Sequence, residues 1–175
     1  MVTSLRMGIV ILAAFAAASL TLAAAQTARD SGPEKIMSKP SKEFISPKTL
    51  IAPGAAGYSH IAKVNHGTII YLSGQVPSDA SGKLIGEGDF EAQVEQVFRN
   101  LNIAVEAAGG TMADIVKLNY YVVAELDQAS VPKLRPIRDR YLNVENPPAS
   151  TFIVVSRLAR PGWLIEIEAV AAIDG

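Results

Sequence analysis

The pattern of apolar and polar positions divides the chain into three parts. An apolar run from Met7 to Leu22 comes first, a polar stretch containing several prolines follows, and strand-like or helix-like patterns fill the rest. The last part has the size of one ordinary domain. The pattern therefore predicts a folded domain over residues 47–175, preceded by a flexible linker over residues 26–46.

The first part of the domain has the pattern of two strands. YSHIAKVNHG and the β-branched segment GTIIYLSGQVP are apolar runs joined by Asn65, His66 and Gly67, which are typical turn residues. Because a short turn between two such runs usually joins antiparallel neighbours, this stretch predicts a β-hairpin.

Two segments have helical periodicity. Asp89 is the predicted N-cap of the first, whose apolar residues recur every three or four positions until Gly109, a residue suited to the left-handed end of a helix. The second helix is predicted from about Ser130 to Leu142, with a bend at Pro136. Its stripe consists of Val131, Leu134, Ile137, Arg138 and Tyr141.

Three further segments have strand patterns: DIVKLNYYVVAEL between the helices, then ASTFIVVSRLA and WLIEIEAVAA after them. The order β-β-α-β-α-β-β predicts an α+β fold, with a single sheet and both helices on one face. This arrangement leaves the other face bare, and bare apolar faces usually form subunit contacts. The pattern therefore predicts an oligomer rather than a monomer.

The N-terminal apolar run has the features of an export signal. Arg6 precedes it, and Ala23, Ala24 and Ala25 provide the small residues of a cleavage site. The sequence predicts a signal peptide over residues 1–25 and an exported protein, periplasmic or secreted, that leaves the membrane after cleavage. The run is short for a membrane span, and an uncleaved anchor is the alternative.

Composition excludes several kinds of chemistry. The net charge of −1 gives no basic surface for nucleic acid, and the absence of cysteine excludes disulfides and thiol catalysis. The two histidines, His60 and His66, are interpreted as structural, and no metal is predicted. In the last strand, Glu166 and Glu168 point to the same face. They are either a catalytic pair or the solvated side of a strand.

Several segments resemble the Rid family (RidA/YjgF-like, reactive intermediate deaminases). SGQVP, AVEAAGG, PPAST and EIEAVA follow the family's order, and the likeness covers nearly all of residues 50–174. The resemblance implies a fold similar to that of chorismate mutase, a homotrimer, and ligand clefts between the subunits. It also implies hydrolysis of imines or enamines to carbonyl compounds and ammonia, with no metal and no organic cofactor.

The resemblance also assigns site residues. Glu166 falls at the glutamate that positions the attacking water, and Tyr58 at a tyrosine of the ligand cleft. Ser73 and Gly74 fall at the family's S-G-Q segment. Glu168 has no such counterpart and is expected to be structural.

Two positions depart from the family's pattern. Gly57 replaces the usual proline, and Ser150 stands where the P-A-R-S segment has the arginine that binds the substrate carboxylate. A hydroxyl cannot replace a guanidinium fork, so the substrate range should differ. Arg135 on the second helix could supply the missing cation to the cleft. The alternative is a solvated Arg135 paired with Asp139.

Three functions remain open after these comparisons of residues. The first is a hydrolytic deaminase of imine or enamine compounds with an altered substrate range. The second is a non-catalytic trimer of the same fold that binds a small molecule. The third is a chaperone-like interaction protein. Glu166 separates the first two, because only catalysis requires its carboxylate.

Overall fold

The computed structural model describes residues 41–174. The predicted signal peptide and residues 26–40 of the predicted linker lie outside the described residues. The regular elements of the described part are β1 (Lys42–Ile45), β2 (Ile61–Val64), β3 (Thr68–Gln75), α1 (Phe90–Ala107), β4 (Ile115–Val123), α2 (Leu134–Tyr141), β5 (Ala149–Val155) and β6 (Ile165–Ile173). Over residues 41–174, the helices are too short or too polar to cross a membrane.

The main sheet has the strand order β3-β6-β4-β5, in which only β4 and β5 run parallel. Both helices pack against one face of this sheet and form the core with it. The predicted α+β class with two helices and a sheet is confirmed. The buried side chains on the helix side include Val97, Phe98, Leu101, Leu118, Ile137, Ile165 and Ile167.

The opposite face of the sheet, called the open face below, is more polar than the sequence suggested. It is defined by Lys117, Asn119, Tyr121, Glu166 and Glu168, which are partly exposed and alternate with buried residues. Its exposed apolar side chains are Ile69, Tyr71 and Ile153. The open face therefore combines a polar centre with an apolar border.

Strand β1 corrects the predicted extent of the linker. Residues 42–45 were expected to be flexible, yet they pair antiparallel with β2. The Nζ of Lys42 lies 2.5 Å from Oδ1 of Asp114 and donates to the Ala172 carbonyl at 2.6 Å. These partners are distant in sequence, so local periodicity could not indicate the strand.

The predicted hairpin of β2 and β3 is wrong. β2 pairs with β1 in a separate two-stranded sheet, whereas β3 pairs with β6. Gly67, at φ 113°, has its Cα against the Ile173 carbonyl, where a Cβ would lie 2.7 Å from the oxygen. The glycine is thus needed because the chain passes close to the end of β6 on its way from β2 to β3, rather than for a hairpin turn.

The helices follow the predicted stripes with different lengths. Asp89 caps α1 by accepting a hydrogen bond from the Ala92 backbone, and Gly109 follows the helix at φ 86°. The second helical segment begins as a 3-10 helix over Gln128–Lys133 and becomes α-helical only at Leu134. Pro136 then lies in the first α-helical turn, where a missing backbone donor costs little.

Candidate functional site

A β-bulge shapes the open face beside Glu166. The pairing of β3 with β6 shifts between Leu72 and Gln75, so Ser73 and Gly74 form the bulge. A Cβ on Gly74 would lie 2.0 Å from Oε1 of Glu166. Because Gly74 has no Cβ, the Glu166 carboxylate lies directly against it, so the structure brings together two of the residues that the resemblance assigned to the site.

The two glutamates of β6 have different surroundings. Glu168 Oε1 accepts hydrogen bonds from Asn119 Nδ2 at 2.6 Å and from the Tyr121 hydroxyl at 3.0 Å. Glu166 has no hydrogen-bond partner among residues 41–174. Burial raises the pKa of the Glu166 carboxyl, and the charge of Glu168 raises it further. The two carboxylates are therefore not equivalent, and Glu166 is the one that remains available to a ligand or water.

Ser73 opens into a cavity of about 220 Å³ on the open face, next to Glu168 and Lys117. The Nζ of Lys117 donates to the Thr151 hydroxyl at 2.6 Å, and burial lowers the pKa of Lys117. The bulge thus stands beside a polar recess that contains a cation as well as a carboxylate.

Tyr58, Arg135 and Ser150 line one cavity of about 280 Å³, called the Ser150 cavity below. The backbone N–H of Ser59 donates to the Pro148 carbonyl at 3.1 Å, which places Tyr58 next to the start of β5. The remaining lining residues are Ala56, Tyr120, Val131, Leu134, Arg138 and Phe152. The cavity is therefore lined mostly by apolar side chains, together with hydroxyl-bearing residues and two arginines.

The Ser150 cavity and Glu166 lie on opposite sides of the sheet. Ser150 stands opposite Leu118, which is buried on the helix side, whereas Glu166 stands opposite Tyr121 of the open face. Within one chain, the predicted site residues therefore form two groups. Ser73, Gly74 and Glu166 belong to the open face, and Tyr58, Arg135 and Ser150 belong to the cavity.

Arg138 is a cavity residue that the sequence-based prediction missed. Only 7% of it is exposed, and its Nε donates to Oδ1 of Asp139 at 2.8 Å. Its Nη1 donates to the Ala56 carbonyl at 2.6 Å. Arg135 is exposed, and Asp139 pairs with Arg138 rather than with Arg135 in the described ion pairs. The signal in the sequence was an arginine within an otherwise apolar helix stripe.

In the part of the chain that the structure describes, the two histidines have contacts of other kinds. His60 contacts the Tyr58 ring edge-on, with 5.3 Å between ring centroids, and its Nε2 lies 2.8 Å from the Ile51 carbonyl. Within residues 41–174, no group of three or more His, Asp or Glu is placed to hold a metal ion. His60 thus supports the position of Tyr58.

Comparisons with known proteins agree with this architecture. A family model described as Endoribonuclease L-PSP matches residues 49–173. A RutC family protein of Pyrococcus horikoshii is 35% identical over 121 residues, which cover 69% of this chain and 90% of that protein.

Two solved structures are also similar. YyfB of Yersinia pestis, a Rid family protein of unknown function, shares 35% identity with a TM-score of 0.70, over 77% of this chain and 100% of YyfB. RidA of an Antarctic Psychrobacter species shares 32% identity with a TM-score of 0.54, over 77% of this chain and 100% of RidA. On the family model and these relatives together, the chain belongs to the Rid (RutC/YjgF) family.

Proposed function

We propose that the protein is an exported, cofactor-independent hydrolase that converts imine or enamine compounds to carbonyl compounds and ammonia. The difference between the two glutamates of β6 carries the proposal. Glu168 is held by two donors, whereas Glu166 lies against Gly74 with no partner among the described residues. A partly buried carboxylate with a raised pKa is suited to bind water and accept its proton.

The reaction follows from this arrangement. Glu166 accepts a proton from a bound water while the water oxygen adds to the imine carbon. The same proton is then delivered to the nitrogen, which gives a neutral carbinolamine. Glu166 then takes the hydroxyl proton of the carbinolamine and passes it to the amino nitrogen, so that the C–N bond breaks, ammonia leaves, and the oxygen forms the carbonyl group. Because each step needs only a proton donor or acceptor from the protein, a single carboxylate is sufficient as acid and base.

A homotrimer with clefts between subunits is part of the proposal. The open face and the Ser150 cavity are on opposite sides of the sheet in one chain, so one ligand reaches both groups only when two subunits contribute. Family membership supports this assembly, and the exposed apolar residues Ile69, Tyr71 and Ile153 offer contact area around the open face.

Export is proposed from the N-terminal sequence alone. The apolar run, Arg6 before it and the alanines at its end have the order of a signal peptide. The mature chain would then begin at Gln26. Mass spectrometry of the exported protein tests this. An exported member would act on imines outside the cytoplasm.

The absence of the usual arginine at Ser150 favours a second candidate function, a trimer that binds a small molecule without catalysis. A ribonuclease role, suggested by the family description, is opposed by the net charge of −1 and by two carboxylates on the open face. A chaperone-like role has no specific feature of the described residues in its favour.

The experiment measures ammonia release from imines generated in situ by an amino-acid oxidase. Replacing Glu166 with Gln should lower the rate by about 100-fold or more, the usual contribution of a general base. Because the folded-state pKa of Glu166 is raised, the protonated carboxyl is favoured in the folded protein. The stability that this protonation contributes is present below the unfolded-state pKa and is lost as the pH rises through the folded-state pKa. Glu166→Gln should therefore unfold at pH 7 at no lower temperature than the wild type.

An inactive and unstable Glu166→Gln variant would point to a structural role instead. Wild-type protein that releases ammonia no faster than buffer, with any imine tested, would refute the hydrolase and leave the binding protein.

A further inference from the structure

Three hydroxyl groups around the Ser150 cavity have no hydrogen-bond partner among residues 41–174. They belong to Tyr58, Tyr120 and Ser150, which all line this cavity. Each hydroxyl can both donate and accept a hydrogen bond. Because polar groups in a protein interior are normally paired, the natural partner of these hydroxyls is a polar molecule inside the cavity.

Tyr120 is the most buried of the three residues. Only 4% of it is exposed, and its ring stacks on Phe152 with 6.1 Å between the ring centroids. Among the described residues, the one side-chain polar atom that is both sealed from solvent and unpaired is Oγ of Ser78. The unpaired Tyr120 hydroxyl is therefore not sealed, and the Ser150 cavity is an open space that Tyr120 lines. Burial raises the pKa of Tyr120, so the hydroxyl stays protonated and can donate.

The charges of the two arginines in the cavity wall are paired or solvated. Nη2 of Arg138 lies 2.7 Å from Oδ1 of Asp139. Gly57 and Asp139, which contact this guanidinium, line a second cavity of about 170 Å³ rather than the Ser150 cavity. Arg135 is exposed, so water and salt screen its charge. The polar groups that remain for a ligand in the Ser150 cavity are therefore neutral hydroxyls.

We infer that the Ser150 cavity binds the carboxamide of a small neutral ligand, and that Tyr120 determines this specificity by donating to the amide oxygen. An amide has an acceptor and two donors, so it can pair with hydroxyls that both donate and accept. A carboxylate has no donor, and its charge would lose water without gaining an unpaired cation.

The ligand class is a 2-oxo or 2-imino carboxamide with a short apolar side chain. Val131 and Leu134 give that side chain an apolar wall. The inference rests on the proposed function, because it takes this cavity as one half of the ligand cleft.

Equilibrium binding of two matched probes tests the inference. The probes are 2-oxobutanamide and 2-oxobutanoate, which differ by one charge, and both are titrated calorimetrically against the intact protein. Wild-type protein should bind the amide at least about tenfold more tightly, because the cavity does not compensate a buried charge. Tyr120→Phe should weaken amide binding by roughly 3- to 10-fold, the usual contribution of one uncharged hydrogen bond.

Thermal unfolding separates this role from a structural one. Tyr120→Phe keeps the stacked ring and removes a hydroxyl that has no partner among the described residues, so its melting temperature should not fall below that of the wild type. Tyr141→Phe is the matched control, because the Tyr141 hydroxyl donates to Oε1 of Glu95 at 2.8 Å and does not line the cavity. This control should melt at a lower temperature and bind the amide as the wild type does.

The remaining outcomes overturn either the inference or the proposed function. Wild-type protein that binds neither probe, or both equally, has no carboxamide subsite, and a preference for the carboxylate assigns the cavity to an anion. Unchanged amide affinity of Tyr120→Phe, or a melting temperature as low as that of Tyr141→Phe, refutes the role of the Tyr120 hydroxyl. Amide preference without ammonia release from any imine would refute the hydrolase alone. Ammonia release together with a carboxylate preference would refute the carboxamide subsite alone.

Discussion

Glu166 and Glu168 are two residues apart on the same strand, yet they have different neighbours. Asn119 and Tyr121 donate to Glu168, so its orientation is fixed. Glu166 receives no such donor from the described residues and lies beside that fixed charge. The charge of Glu168 therefore contributes to the raised pKa of Glu166, even though Glu168 is not expected to contact the reacting atoms.

Replacing Glu168 with Gln tests this effect through the pH dependence of ammonia release. In the proposed reaction Glu166 acts as a base, so the rate should fall as the pH drops below its raised pKa. Burial is the larger cause of that raised pKa, and the charge of Glu168 is the second. The amide oxygen of the introduced glutamine can still accept from Asn119 and Tyr121, but the loss of the charge lowers the pKa of Glu166. The acidic limb of the profile should therefore move to lower pH.

The plateau rate at higher pH serves as the control, because Glu168→Gln should leave it within about tenfold of the wild type if Glu168 is not a catalytic base. An acidic limb that does not move, or that moves to higher pH, would contradict the coupling of the two carboxylates.

At the residue scale, the sequence identified the face of Glu166 but not its state. Alternation places Glu166 and Glu168 on one side of a strand, whereas the donors to Glu168 come from β4, 47 and 49 residues earlier. Arg138 illustrates the same limit. Its place in an apolar stripe was visible, but its contact with Gly57 depends on a turn far from α2 in sequence.

At the element scale, β1 shows how a short polar strand is held. Lys42 is its anchor, because the Nζ reaches both Asp114 and the Ala172 carbonyl, and its side chain is only 13% exposed. The neighbouring pair of Lys63 and Glu43 is more exposed, with Lys63 at 47%. The two-stranded sheet therefore contains one part-buried and one solvated ion pair, and the two provide a matched comparison.

Replacing Lys42 with Met should lower the free energy of unfolding by about 1–3 kcal/mol, because it removes the donor to Oδ1 of Asp114 and to the Ala172 carbonyl. Lys63→Met should cost less than about 1 kcal/mol. Urea denaturation monitored by circular dichroism measures both. A Lys42→Met variant no less stable than Lys63→Met would show that this contact does not anchor β1.

The pH dependence of that stabilisation has a defined sign. Burial alone would raise the pKa of Asp114, but the donors Lys42 and Thr111 outweigh it and lower the pKa. The stabilisation is therefore present above the unfolded-state pKa of the carboxyl and is lost as the pH falls through the lowered folded-state value. The difference between wild type and Lys42→Met should become smaller under strongly acidic conditions.

Elements with strong local periodicity were predictable, and elements defined by distant partners were not. The cap at Asp89 and the stripe of α1 could be predicted from the sequence, because both depend only on residues of that helix and its cap. β1 and the pairing of β3 depend on Asp114, Ala172 and the edge of β6. Turn residues at 65–67 indicated a change of direction correctly, but they could not indicate which strand would pair with β3.

At the scale of the whole molecule, the two groups of site residues raise the question of how they meet. Glu166 faces one side of the sheet and Ser150 the other, so the two groups of one chain cannot both contact the same small ligand. In a cyclic trimer, every subunit can offer its open face to one neighbour and its Ser150 cavity to the other. The proposed trimer would then contain three complete clefts, each built from two subunits.

Mixing two inactive variants tests this arrangement. Glu166→Gln damages only the open-face half, and Ser150→Trp fills only the cavity half. The two variants are mixed in equal amounts and their subunits are exchanged. Each cleft then takes its open face from one subunit and its cavity from the next, and either subunit is equally often of either variant. About a quarter of the clefts should therefore combine an intact open face with an intact cavity. Ammonia release should recover to about that fraction of the wild-type rate. A site contained within one chain would recover nothing.

The matched control mixes Glu166→Gln with Ser73→Trp, which damages the same half. Every cleft then receives a defective open face, whichever subunits meet, so no recovery is expected. Light scattering before and after mixing establishes that each variant keeps the assembly of the wild type. Recovery in the control as well as in the test mixture would indicate residual activity of the variants, whereas recovery in neither would contradict a cleft shared between subunits. Recovery in the first mixture alone requires that Glu166 of one subunit and the Ser150 cavity of another act on the same substrate molecule.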